Sequence, residues 1–152
     1  ESRRDSPIFY LQGKRYTSEL IMETKVRMEK MIIITNNSNV KEFFEPLSRY
    51  DVEFIEGGYG DVLYKTRDYV HKNYKLLTHP LSGSIKPNET PYKSIAIEKG
   101  SELDMFSLEL IDNAVSVYEK LQHDLKTPMW IERILDDFRV IDLDLIKNAL
   151  IK

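Results

Sequence analysis

Residues 31–38 read MIIITNNS. Three successive Ile between Met31 and Thr35 make a short, continuous, β-branched run, the pattern of a strand buried on both faces. Such a strand needs helices above and below it, so these residues point to an α/β fold. The polar group Thr35, Asn36, Asn37 and Ser38 follows at once and marks the strand's carboxyl end. Ser38 is placed to cap a brief helix, NVKEFFE, that Pro46 stops.

Downstream the alternation continues. VEFIE (52–56) reads as a second strand, closed by Gly57 and Gly58. Asp61 is placed to cap DVLYKTRDYVHKN (61–73), whose Val62, Leu63, Thr66, Tyr69 and Val70 share one helical face. YKLLTH (74–79) is a third strand and YKSIAIE (92–98) a fourth. Asp104 is placed to cap MFSLELIDNAVSVYEKLQHDL (105–125). Thr127 followed by Pro128 gives a helix start, with Trp130, Ile131, Ile134, Leu135 and Phe138 as its apolar face. Asp142 or Asp144 then begins a last helix ending in NALIK (148–152).

Strand-helix-strand-helix-strand with right-handed crossovers makes a small three-layer α/β sheet with a parallel core. The Met31 strand is expected between the other two parallel strands. The connection to the fourth strand is short and Pro-rich, which favours an antiparallel return. The C-terminal helices cover or extend the sheet. Residues 31–152 then form one α/β domain with a helical C-terminal part. Residues 1–30 form an N-terminal arm or extension: PIFYLQGKRYTSE (7–19) has the pattern of a hairpin, and TSELIMETKVRMEK (17–30) a loosely helical spacing.

The 152 residues are 41% hydrophobic and 31% charged, with formal net charge −3. One domain of this size buries roughly 70% of its unfolded surface. The mild negative balance disfavours a nucleic-acid partner. No apolar run approaches the roughly 20 residues that cross a bilayer, so no membrane partner is expected and the chain reads as cytoplasmic. There is no Cys, hence no disulfide, thiolate metal site or thiol nucleophile. His71, His79 and His123 are widely spaced, and neither a metal nor another cofactor is expected.

In sheets of this kind ligands bind beyond the carboxyl ends of the strands. Three polar clusters lie there: Thr35 to Ser38; Glu56, Gly57, Gly58, Tyr59 and Asp61; and the loop from Thr78 through Tyr92. The expected ligand-binding set is Asn36, Asn37, Glu56, Gly57, Gly58, Asp61, His79, Ser82, Gly83, Ser84, Lys86, Asn88 and Glu89. Asn36, Asn37 and Ser84 would hydrogen-bond the ligand, and Lys86 would neutralise its charge. Each feature also has a plainer reading. Asn and Ser cap and turn chains, GGYGD is a tight strand-to-helix turn and no GxGxxG, and SGSIK (82–86) is neither a Walker A loop nor an SxxK motif. His79 is placed for acid–base work near neutral pH, but has no evident serine or carboxylate partner. Trp130 and Phe138 read as core, or as a surplus apolar face for a homodimer or docking partner. The acidic residues of ILDDFRVIDLDL (134–145) read as caps and solvated faces.

IITNN with the helix after it, the stretch VEFIEGGYGDVLYKTRDYVHKNYKLLTHPLSGSIKPNETPYKS and the ELDMFSLELID helix resemble the GrdX family, from about Met31 to about Lys120. Its members are small accessory proteins encoded in glycine, sarcosine or betaine reductase gene clusters of amino-acid-fermenting anaerobes. THPLSGSIKPNETPYKS is the specific part, and Ser38 stands where the family pattern has Pro. The resemblance implies a cytoplasmic protein beside selenocysteine- and thiol-dependent reductases, and the absence of Cys agrees with an accessory role. It carries over no catalytic residues. The expectation is a non-catalytic accessory or regulatory protein that binds a small anionic ligand or a reductase subunit. One alternative is an enzyme acting on a small carboxylate or phosphorylated metabolite, with His79 as general acid/base oriented by Glu56 or Glu89. The other is a pure protein-interaction module.

Overall fold

The computed structural model describes residues 8–11, 14–17, 30–83 and 85–151. Strands β1 (Ile8–Leu11) and β2 (Lys14–Thr17) pair antiparallel, as the hairpin reading expects. The helical reading of 17–30 falls almost wholly outside the described residues, as does Ser84.

The main chain then runs through β3 (Met31–Thr35), α1 (Ser38–Phe44), β4 (Tyr50–Phe54), α2 (Tyr59–Val70), β5 (Tyr74–Leu76), β6 (Ser94–Lys99), α3 (Met105–Asp124) and α4 (Glu132–Leu150). The four strands from β3 to β6 form one mixed sheet in the order β4-β3-β6-β5. β3 and β4 are parallel, with Met31 opposite Tyr50 and Thr35 opposite Phe54. β6 is antiparallel to both β3 and β5. β3, β4 and β5 therefore point the same way, and the fourth strand returns against them.

The strand order differs from the expected one, because β6 and not β5 flanks β3. Burial explains the exchange. Ser94, Ile95, Ala96 and Ile97 are all buried, whereas β5 is three residues long and only half-buried. The more apolar strand takes the centre and the short one the edge. Ser94 of β6 consequently sits opposite Thr35, at the carboxyl end of β3.

Side chains alternate across the sheet and define two cores. Ile34, Ile95 and Ile97 pack with Val62, Leu63 and Val70 of α2 and with Ile111, Ala114 and Val115 of α3. Ile33 and Ala96 face the other way, onto Val40 and Phe44 of α1 and Ile146 of α4. The result is the three-layer arrangement: α2 and α3, then the sheet, then α1 and α4. Gly60 allows close approach of α2 to α3, since a Cβ there would lie 2.4 Å from the Tyr118 ring.

Three helix starts differ from the sequence reading. Asn37, not Ser38, caps α1, its Oδ1 accepting from Asn39 N at 3.0 Å. Gly58 is the cap position of α2, and Asp61 Oδ2 accepts from Gly58 N at 2.8 Å from within the first turn. Thr127–Pro128 starts no helix. Thr127 bonds back to Gln122 through both its hydroxyl and its backbone N, and residues 125–131 run as a non-helical strap. The two helices expected near the C-terminus are the single helix α4. No Gly or Pro interrupts 132–150, and Asp142 lies mid-helix instead of capping. Asp104 caps α3 as expected, its Oδ2 accepting from Ser107 N at 3.0 Å.

Candidate functional site

Asn36 ties the strand-end segments together. Its Nδ2 donates to Gly57 O at 3.0 Å and Pro91 O at 2.7 Å, and its Oδ1 accepts from Lys93 N at 2.9 Å. One buried amide thereby links the end of β3, the β4–α2 turn and the end of the 77–93 loop.

Beside it lies a buried polar network. Thr35 Oγ1 and Ser94 Oγ are 2.7 Å apart across the β3–β6 pair. Ser94 Oγ donates to Asp142 Oδ2 at 2.7 Å, and Asn37 Nδ2 donates to the same oxygen at 3.0 Å. Asn37 Nδ2 also reaches Arg139 O at 2.9 Å. A carboxyl from the middle of α4 is thus held against the carboxyl end of the sheet. Asp142 is 7% exposed. Burial pushes its acidity constant above the usual carboxylate range, while Asn37, Ser94 and the charge of Lys93 pull it back.

Lys93 stands next to Ser94 and is 4% exposed. Its Nζ donates to Ser82 O at 3.1 Å and to Ser82 Oγ at 3.4 Å. No ion pair within 4.0 Å joins it to an acid among the described residues. Burial lowers its pKa from 10.5 to about 8, with the charge of Asp142 opposing that shift. Lys93 and Asp142 line one pocket together with Tyr59, Ser82, Gly83, Ile85, Thr90, Tyr92, Phe138, Ile141 and Leu145. The space is small, about 20 Å³ open to the centre of a water molecule, or room for roughly one water. Tyr59 stacks on Tyr118 at 5.6 Å, and burial raises its phenol above the ordinary range.

The 77–93 loop roofs this pocket and is pinned from the C-terminal side. Asn88 Nδ2 donates to Leu125 O at 3.1 Å, and Trp130 Nε1 donates to Glu89 O at 2.7 Å. Arg139 of α4 donates to Tyr92 Oη at 2.6 Å and pairs with Glu132.

The residues singled out in the sequence do not all converge. Ser82 and Gly83 line the pocket, and Asn36 and Asn37 are buried in the bonding that frames it. Gly57, Gly58 and Asp61 form the β4–α2 turn, and Asn88 and Glu89 anchor the loop to the strap. Glu56, His79 and Lys86 are exposed, and His79 Nδ1 accepts from Leu81 N at 3.0 Å. Sequence reasoning placed Tyr59 in the second polar cluster but outside the binding set, and missed Lys93, Ser94 and Asp142 as site residues. The available signal was the position of Asp142 on the stripe it shares with Leu135, Phe138 and Ile146, at helical spacings of three and four.

The sequence profile of the GrdX-like protein family matches residues 32–151, and so covers β3 through α4 and every pocket residue just described. The chain belongs to the GrdX-like protein family. No curated protein and no solved structure is significantly similar to it. Among the described residues of this GrdX-like chain, no three His, Cys, Asp or Glu side chains gather as metal ligands. No helix there is long and apolar enough to cross a membrane.

Proposed function

We propose that this GrdX-like chain is a non-catalytic accessory protein of a cytoplasmic glycine-reductase-type system, and that it binds a small anion through Lys93. The observation that carries the reading is the ammonium of Lys93: buried, without an acid inside ion-pairing distance, and set in a pocket at the carboxyl ends of three co-directional strands. Ser82 and the more distant charge of Asp142 only partly offset the burial of that cation, and an anion beside it would stabilise it further. Membership of the family supports the accessory role, and subunits of the reductase are the protein partners it suggests.

The enzymatic alternative rests on His79. That side chain is exposed, and no hydrogen bond joins it to Glu56 or Glu89, which supports the non-catalytic reading.

Calorimetric titration of the purified chain with acetate, phosphate and acetyl phosphate tests the proposal. At least one anion is expected to bind, and Lys93→Met to weaken it about tenfold or more, the value of one charge-assisted contact. Equal affinity in both proteins would remove Lys93 from the site. Co-purification of a reductase subunit with the tagged chain from native extract tests the partner.

A further inference from the structure

The next step rests on the anion-binding reading and narrows it. Lys93 and Asp142 enter one pocket from different elements, and each is tethered away from the other. Ser82 holds the ammonium towards the loop, and Asn37 and Ser94 hold Asp142 Oδ2 against the sheet. The two charges therefore attract across the pocket without closing into an ion pair. A simple anion would satisfy Lys93 while lying beside a second carboxyl. A molecule carrying both charges would satisfy both walls, and among the described residues no other side chain of a Lys, Arg, His, Asp or Glu lines the space.

We infer that the pocket takes a small zwitterion of the amino-acid class, its carboxylate on Lys93 Nζ and its ammonium on the Asp142 carboxylate. The rest of the wall fixes the size and polarity of the occupant. Phe138, Ile141, Leu145 and Ile85 offer nothing to a polar side chain. The loop also sits close on α4: Gly83 has φ +119°, and a Cβ there would lie 3.0 Å from Leu145 Cδ1. With room for about one water before the loop yields, the smallest amino acids fit best.

The test compares charge types on the full chain by titration calorimetry: glycine, alanine and leucine as zwitterions, acetate as the anion alone, methylammonium as the cation alone. Glycine is expected to bind about tenfold or more tightly than acetate, leucine more weakly than glycine, and methylammonium without detectable heat. Asp142→Asn keeps an oxygen for Asn37 and Ser94 and removes the charge. It is expected to bring glycine down to the level of acetate while acetate is unaffected or improved. If acetate matches glycine in the wild-type chain and Lys93→Met abolishes both, the zwitterion inference falls and the anion reading stands. If no compound binds, both fall. If glycine is preferred but Asp142→Asn leaves that preference intact, the ammonium is not at Asp142 and the inference fails. Should Asp142→Asn not fold, the wild-type comparison of glycine with acetate decides alone.

Discussion

A lysine ammonium that is 4% exposed and lacks an acid within ion-pairing distance destabilises the fold that holds it. The pKa of Lys93 drops from 10.5 to about 8, and the sign of its contribution follows. Below pH 8 both the folded and unfolded states keep the proton, and the full penalty, on the order of 3 kcal/mol, is present. Between about pH 8 and 10.5 the unfolded chain binds more protons than the folded one, so stability rises with pH across that window. Lys93→Met is therefore expected to unfold at higher urea than wild type at pH 7, with the advantage shrinking by pH 10. The difference between the two proteins is the quantity to follow; a difference that stays level would contradict the burial of charge. Asn36 has the opposite effect on stability. Its three buried bonds join the strand-end segments, and Asn36→Ala leaves a backbone N–H and two carbonyls short of a partner. A loss of about 2–4 kcal/mol is expected by denaturant titration. Asn36 and Asn37 were legible in the sequence because strand-end polar residues are few and the strand before them is unambiguous. Lys93 was not, because its place at the same edge depends on β6 pairing directly with β3.

At the scale of elements, the alternation that begins at MIIIT was readable through α3, since each strand and helix carries its own period and most carry a cap. What escaped reading was tertiary choice. β5 and β6 are both apolar and short, and only their relative burial decides which one meets β3. α4 was read as two helices because Asp142 and Asp144 look like caps, yet Asp142 lies on the buried stripe and is matched by Asn37 and Ser94 more than a hundred and almost fifty residues away along the chain. Long-range partners of that kind leave no local trace. They do predict how α4 is held: a buried apolar anchor, Ile146 at 3% exposure, with Leu143 and Leu150 packed against the same cluster, and a buried polar anchor, Asp142. Ile146→Ala is expected to cost about 2–4 kcal/mol and to raise amide hydrogen exchange across 132–150 selectively, with β3 and α2 still protected. Uniform loss of protection would mean that α4 is part of the same cooperative unit as the sheet.

On the scale of the whole molecule, the site lies where all three layers meet: Tyr59 from the α2 layer, Lys93 from the sheet edge, Asp142 from the α4 layer, with the 77–93 loop above them. A pocket with room for about one water admits a ligand only if that roof moves. The strap at 125–131 helps pin the roof: Trp130 Nε1 donates to Glu89 O, and Leu125 O accepts from Asn88 Nδ2. Trp130 also packs edge-on against Phe138 at 5.7 Å, so its ring and its N–H have separate roles. Trp130→Phe keeps an aromatic ring on Phe138 and removes the donor alone. Global stability is then expected to fall by only about 1 kcal/mol, the net worth of one hydrogen bond. Amide exchange in residues 85–92 should rise clearly while β3 and β6 stay as protected as before. Ligand association and dissociation should both become faster with Kd nearly unchanged, because a weaker latch lowers the barrier to entry and exit without altering Lys93 or Asp142. Unaltered exchange in the loop would show that the latch lies elsewhere, with Arg139 and its bond to Tyr92 the next residue to change.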